Sequence, residues 1–149
     1  MPSLKVFGTA VAIILLGGLA SYFGLAHGCS KQSTPGIIAG TISLDPRLAD
    51  KINPSATLFI VARQADVPFG PPLAVKRIEQ PDFPFSYILS SDDVMRPGTP
   101  FQGKVSIKTQ LDKDGIVGAE PGDLEGEYIK NPATVGQEEA VNITLNKLR

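Results

Sequence analysis

KVSIKTQL, at residues 104–111, is the stretch that decides the fold class. Val105, Ile107, Thr109 and Leu111 fall on one side of this stretch, and its lysine, serine and glutamine residues fall on the other. A period of two residues is typical of a β-strand that has one buried face and one solvated face. The stretch therefore predicts a strand in a half-buried sheet.

Similar apolar runs recur through the rest of the chain. They predict strands at 37–44, 57–63, 73–78, 83–89 and 141–145, with a weaker strand near 124–129. The run at 57–63 has apolar residues on both faces, which favours a central strand. Turn residues separate the runs, and two short helical turns are expected, at 46–52 and 91–95. About seven short strands without a long helical period predict an all-β fold, a two-sheet sandwich over residues 37–149.

The composition excludes several classes of function. The 149 residues carry a formal net charge of −1, so no basic excess supports binding to nucleic acid. His27 is the only histidine and Cys29 the only cysteine. A haem attachment motif or a structural zinc site needs more of these ligands, and a Ser–His–Asp arrangement would depend on His27. The sequence therefore predicts no catalytic, cofactor-binding or metal-binding residue, and no cofactor.

An apolar leader precedes the predicted strands. Val6–Ala26 is uncharged and about as long as the roughly 20 residues that cross a bilayer as a helix. Gly28 stands before Cys29, and a small residue at that position is typical of a lipoprotein processing site, which makes Cys29 a candidate for lipidation. Residues 1–28 are thus either a lipoprotein signal peptide or a retained transmembrane anchor, and both alternatives stay open. Either one predicts a domain that faces the periplasm in a bacterial cell envelope, behind a polar tether at residues 29–36.

Two acidic segments could attract cations. Asp112-Lys113-Asp114-Gly115 resembles the start of a calcium loop, but the fifth position is Ile116 and the twelfth is Asp123, where a complete loop has an oxygen ligand and a bidentate glutamate. A hairpin turn centred on Asp114-Gly115 is the favoured interpretation. The acidic residues that follow are expected to lie in a solvated loop: Glu120, Asp123, Glu125 and Glu127.

Two further groups of residues are candidates for a binding surface. Arg63, Lys76 and Arg77 would form a basic spot only if they shared a face, and adjacent strand residues point to opposite faces. Three phenylalanines border proline-rich turns and are expected to cap the core rather than line a peptide groove: Phe69, Phe83 and Phe101. Exposed sheet edges offer a more general way to bind a partner strand.

Five phrases carry a resemblance to a known family. They are GTISL (40–44), TLFIVAR (57–63), PLAVKRI (72–78), FPFSYILSSDDVMRPG (83–98) and PGDLEG (121–126). In this order and spacing they resemble the immunoglobulin-like domain that ends the cytochrome c-type biogenesis protein CcmI, also called CycH. The resemblance covers about residues 38–148 and implies an immunoglobulin-like sandwich that is a non-catalytic, extracytoplasmic module.

The resemblance also implies a context. The family's inner-membrane proteins carry tetratricopeptide repeats before this domain and deliver unfolded apocytochrome c for haem attachment. Residues 30–36 are too few for such a repeat, which takes about 34 residues, so the chain resembles the last domain alone on its own tether. The expected function is a membrane-tethered module that binds a protein in c-type cytochrome biogenesis. The alternative is a structural accessory lipoprotein of a respiratory or electron-transfer membrane complex.

Overall fold

Alternating apolar residues form strands where the sequence predicts them. The computed structural model describes residues 36–67, 69–116 and 120–149. Nine strands lie in these ranges: β1 (Ile38–Leu44), β2 (Thr57–Gln64), β3 (Ala74–Glu79), β4 (Phe85–Leu89), β5 (Lys104–Asp112), β6 (Leu124–Glu127), β7 (Ala133–Thr134), β8 (Ile143–Leu145) and β9 (Lys147–Leu148). The prediction of an all-β, two-sheet sandwich is confirmed.

The strands are divided between a three-stranded and a larger sheet. The smaller sheet has the order β4-β1-β8, in which β1 is antiparallel to β4 and parallel to β8. The larger sheet has the order β3-β2-β5-β6-β9, and β7 also pairs with β5. The strand β2 lies between β3 and β5, as its apolar residues on both faces predict.

The two predicted helical turns are present as short 3-10 helices. One covers Pro46–Lys51 and the other Ser91–Asp93. The Ser90 side chain accepts a hydrogen bond from the backbone N–H of Asp92, and the Asp93 side chain accepts one from the backbone N–H of Ser90. These reciprocal bonds form a capping box, which fixes where the second turn begins.

The core lies between the inner faces of the two sheets. The predicted inward residues of β5 are all buried, and so are Tyr87 and Leu89 on β4. Phe101 is buried in the core and Phe83 packs against its margin, as expected for residues that cap the sandwich. The same prediction is wrong for Phe69, whose side chain is 99% exposed in the loop after β2.

The C-terminal segment connects the two sheets. The strand β8 pairs with β1 in the smaller sheet, and β9 pairs with β6 in the larger one. Just before β8, the N–H of Val141 donates to the carbonyl of Ala39 at 2.8 Å, and the Tyr87 hydroxyl donates to the carbonyl of Val141 at 2.8 Å. The strand predicted at 141–145 begins later, at Ile143, although Val141 is already bonded to β1.

The predicted leader, Val6–Ala26 and Cys29 lie outside the described residues. Within the part of the chain that the structure describes, no helix is long and apolar enough to cross a membrane. The signal peptide or anchor and the lipidation of Cys29 therefore stay predictions.

We expect the same substitution at two neighbouring positions of β5 to have opposite consequences. Ile107→Asn should lower the free energy of unfolding by about 3–5 kcal/mol, since it places an amide in the apolar core. Lys108→Asn should lower it by less than about 1 kcal/mol, since Lys108 is exposed and its partner Glu127 is exposed too. Urea unfolding followed by circular dichroism measures both values. Equal losses would contradict the assignment of inner and outer faces.

Candidate functional site

The outer face of the larger sheet brings together side chains from five strands. Residues directly opposite each other in an antiparallel pair lie on the same face, with Cβ atoms about 5 Å apart. One row across this face holds Val75, Val61, Lys108 and Glu127. The next row holds Arg77, Phe59, Gln110, Glu125 and Lys147. The face is therefore apolar near β2 and β3 and charged near β5, β6 and β9.

Phe59 is the centre of the apolar part of this face. Its side chain is only 5% exposed, yet it is not part of the core cluster between the sheets. Arg77 and Gln110 stand directly opposite it on the two neighbouring strands, so their side chains flank the ring. Val61 and Val75, one row away, are half-buried. The outer face thus has its own small apolar strip, separate from the core.

A groove of about 380 Å³ lies beside this strip. Val61 contributes to its lining, together with polar and charged residues of β2, β5, β6 and the C-terminal segment: Arg63, Lys108, Gln110, Glu125, Glu127, Asn146, Lys147 and Arg149. We call this surface, with Phe59 and Val75 next to it, the sheet-face groove.

Ion pairs order the charged side of the sheet-face groove. Glu125 lies between two cations, with Arg149 at 2.6 Å and Lys147 at 3.5 Å from its carboxylate. Lys108 lies 3.4 Å from Glu127, and both side chains are more than half exposed. Four cations therefore face two carboxylates along the groove, on a chain whose net charge is −1. Such a surface suits a polypeptide that brings both carboxylates and apolar side chains.

The three basic candidates are not brought together. Arg63 and Arg77 lie on the outer face of the larger sheet, two rows apart. Lys76 points to the opposite side, where its amino group donates to both oxygens of Asp93 at 2.9 and 3.0 Å. The prediction that the adjacent residues Lys76 and Arg77 diverge is confirmed, and Lys76 fixes the capped turn of Ser91–Asp93 against β3.

The acidic segments form a structural turn at the β5–β6 connection. One oxygen of Asp112 accepts hydrogen bonds from the backbone N–H groups of Asp114, Gly115 and Ile116, at 3.1, 2.7 and 3.2 Å. The predicted turn at Asp114-Gly115 is therefore present. It is only the first part of the connection, which continues to Asp123 before β6 begins.

Asp123 contradicts the prediction of a solvated loop. Its side chain is fully buried, and it accepts hydrogen bonds from the backbone N–H of Lys113 at 3.3 Å and of Glu120 at 2.9 Å. Gln110 donates a further bond to Asp123 at 3.1 Å. Glu125 and Glu127 lie on β6, in agreement with the weaker strand predicted near 124–129 rather than with the solvated loop, and both pair with cations on the outer face. Of the four acidic residues, only Glu120 is both in the loop and exposed.

Burial raises the pKa of Asp112, and the nearby carboxylate of Asp123 acts in the same direction. Since the folded state then holds this proton more tightly than the unfolded chain, protonated Asp112 favours folding. That contribution to stability is present below the ordinary pKa of about 4 and is lost as the pH rises through the raised pKa.

Within the described ranges no group of three or more histidine, cysteine, aspartate or glutamate side chains is arranged to hold a metal ion.

Three comparisons relate the chain to known proteins. The family model described as the cytochrome c-type biogenesis protein H Ig-like domain matches residues 38–146. A protein of Aquifex aeolicus (strain VF5), described as an uncharacterized protein, is 27% identical over 89 residues, which are 60% of this chain and 59% of that protein. The chain therefore matches little more than half the length of that relative. No solved structure matches significantly.

Asp123 should be a structural residue whose carboxylate cannot be replaced by an amide. Asp123→Asn should lower the free energy of unfolding by about 2 kcal/mol. The carboxylate now accepts hydrogen bonds from two backbone N–H groups, one on each oxygen, and the NH₂ group that replaces one oxygen would face an N–H group without being able to accept from it. Asp114→Asn is the control and should cost less than about 0.5 kcal/mol, since Asp114 is exposed and an amide oxygen can still accept from Ile116. Thermal unfolding at pH 7 measures both. A harmless Asp123→Asn would mean that the buried contacts of Asp123 do not stabilise the fold.

Proposed function

The chain belongs to the family of cytochrome c-type biogenesis protein H Ig-like domains, and we propose that it is a membrane-tethered, extracytoplasmic module that binds a protein partner in c-type cytochrome biogenesis. The proposed module has no enzymatic activity. Its partner takes part in haem attachment or in the handling of apocytochrome. The family supports the pathway, and the sheet-face groove supports the binding role.

The binding role is supported by one observation, the apolar residues and groove on the outer face of the larger sheet. Phe59 is already covered within the domain, so the apolar surface that this face offers to a partner is that of the half-buried Val61 and Val75. Val61 lines a groove of about 380 Å³, and Val75 stands directly opposite Val61 on the neighbouring strand. Aromatic and apolar centres surrounded by charged rims are typical of protein-binding surfaces.

The charges of the groove indicate the kind of partner. The carboxylates of Glu125 and Glu127 already have cationic neighbours, whereas Lys108 and Lys147 remain more than 60% exposed. A partner segment with carboxylates can share these lysines without leaving a buried charge unpaired. Its apolar side chains would lie over the strip at Val61.

The tether is proposed from the leader. Val6–Ala26 is long and apolar enough to cross a bilayer, and Cys29 follows a small residue as a lipidated cysteine would. Either arrangement holds the domain on the periplasmic side of the envelope, where c-type haem attachment needs it. The two arrangements differ in whether residues before Cys29 remain on the mature protein.

We expect a charge reversal in the sheet-face groove to weaken capture of the partner. The full chain, solubilised from its native membranes, should retain cytochrome maturation proteins on an affinity resin. Lys108→Glu should reduce this capture at least about fivefold, the size expected when an interface residue contributes about 1 kcal/mol or more. Lys51→Glu is the matched control. Like Lys108, Lys51 is an exposed lysine near one carboxylate, in this case that of Asp50, but it lies on the turn after β1 and away from the groove.

The identity of the captured proteins decides between the two functions. The proposal is supported if the wild-type chain captures cytochrome maturation proteins, the Lys108→Glu variant loses them and the Lys51→Glu variant still captures them. Capture of oxidase or multihaem cytochrome subunits would replace it with the structural accessory lipoprotein. Equal capture of partner proteins by the two variants would show that the sheet-face groove is not part of the binding surface.

Mass spectrometry of the mature protein should find a lipid on Cys29 and no residue before it. Cys29→Ser should then leave the precursor uncleaved, with Val6–Ala26 still attached, because processing depends on the modified cysteine. An intact N-terminus on the mature wild-type protein would contradict lipidation and leave the transmembrane anchor as the tether.

A further inference from the structure

Exposed apolar side chains are concentrated at one end of the sandwich. This end is formed by the loops 64–73 and 90–103 and by the first described residues, and we call it the entry end. Phe69 is 99% exposed, Met95 is 58% exposed, and Val67 and Ile37 are close to half exposed. A single exposed apolar residue is ordinary, but four of them close together at one end form an exposed hydrophobic patch, which is typical of an interaction site.

Hydrogen bonds hold these loops side by side. The N–H of Ala65 donates to the carbonyl of Lys104 at 3.0 Å, and the N–H of Met95 donates to the carbonyl of Leu73 at 3.0 Å. A groove of about 140 Å³ lies between the two loops, and its lining includes Val67, Pro71, Pro72 and Val94. The apolar residues of the entry end therefore share one surface.

The polypeptide enters the domain at this same end. The N–H of Gly136 donates to the carbonyl of Ile37 at 2.8 Å, and Gly36 lies against Val135 and Phe101, beside the start of β5. Only residues 27–35 separate Gly36 from the last residue of the apolar leader, Ala26. Fully extended, this tether reaches at most about 30 Å. If a membrane holds the leader or its lipid, Gly36 can lie no farther from it than this extended length.

The charges favour the entry end over the opposite end as the side that faces a membrane. The opposite end carries the 44–57, 79–85 and 112–124 connections, where carboxylates outnumber cations: Asp45, Asp50, Glu79, Asp82, Asp112, Asp114, Glu120 and Asp123 against Arg47, Lys51 and Lys113. Anionic lipid headgroups repel such an end. At the entry end the excess is smaller: Asp66, Asp92 and Asp93, with Glu138 and Glu139 from the 128–142 connection that reaches this end at Gly136, stand against Arg96, Lys104 and Lys130.

We propose that the entry end is a lipid-docking surface, on which Phe69, with Val67 and Met95, enters the headgroup region of the membrane that tethers the chain. This inference rests on the tether of the proposed function. Amphipathic surfaces of this kind bury aromatic and aliphatic side chains at the boundary between headgroups and acyl chains. Docking fixes the orientation of the domain as well as its distance from the bilayer.

The chain contains no tryptophan, so a single tryptophan can report on each end. The full chain with Phe69→Trp is reconstituted into vesicles of phosphatidylethanolamine and phosphatidylglycerol, with and without brominated acyl chains. The bromolipids should quench the fluorescence of this tryptophan by at least about half and the emission should shift to the blue, since bromine quenches only at short range. The matched control is Ile116→Trp, an exposed position at the opposite end, which should show neither effect.

Flotation of the same vesicles separates the failure of docking from the failure of the tether. Chains that float with the vesicles while the tryptophan at position 69 stays unquenched would overturn the docking surface and leave the tether standing. Chains that do not float would overturn both. Equal quenching at positions 69 and 116 would show contact without orientation, and would also overturn the proposal. Both substituted side chains are exposed, so neither variant depends on repacking of the core.

Discussion

The two sheets are held together by the close approach of the C-terminal segment to two glycines. A Cβ atom at Gly40 would lie 2.0 Å from the carbonyl oxygen of Val141, and one at Gly126 would lie 2.5 Å from the carbonyl oxygen of Thr144. Because these glycines have no side chain, β8 can pair with β1 while β9 continues the larger sheet beside β6. The Tyr87 hydroxyl, which donates to the same Val141 carbonyl, completes the contact from the smaller sheet. Burial raises the pKa of this phenol, so it keeps the proton that the bond requires.

Several of the phrases that carry the family resemblance contain contacts of this kind, and TLFIVAR also contains Phe59, Val61 and Arg63 of the outer sheet face. GTISL contains Gly40, and PGDLEG contains the buried Asp123 and Gly126. PLAVKRI and the end of FPFSYILSSDDVMRPG are joined by the ion pair between Lys76 and Asp93. A sequence pattern that specifies turns and close approaches defines how the sandwich closes.

Local periodicity was enough to predict the strands, and long-range pairing was not. The alternation at 104–111 predicts which residues of β5 are buried, because a strand has only two faces. Nothing local to Asp123 indicates its burial, which depends on donors from Lys113 and Glu120 and on Gln110 across the β5–β6 pair. The sheet-face groove was missed for the same reason: its residues come from four separate segments, and only the register places Val61 beside Lys108. The two-residue strands β7 and β9 are too short to show any period.

The two proposed surfaces are compatible because of the geometry of a sandwich. Loops lie at the ends of the strands, whereas the outer face of a sheet runs parallel to them. A domain that rests on its entry end, at Phe69, therefore presents the sheet-face groove sideways rather than toward the bilayer. In the proposed arrangement, the polar tether of residues 29–36 would limit how far the domain can stand from the membrane. Docking would in that case hold Lys108 and its neighbours at a constant height above the bilayer, within reach of a membrane-bound maturation partner. A loosely tethered domain would lose orientational freedom when it binds such a partner, whereas a docked domain would already have lost it before binding.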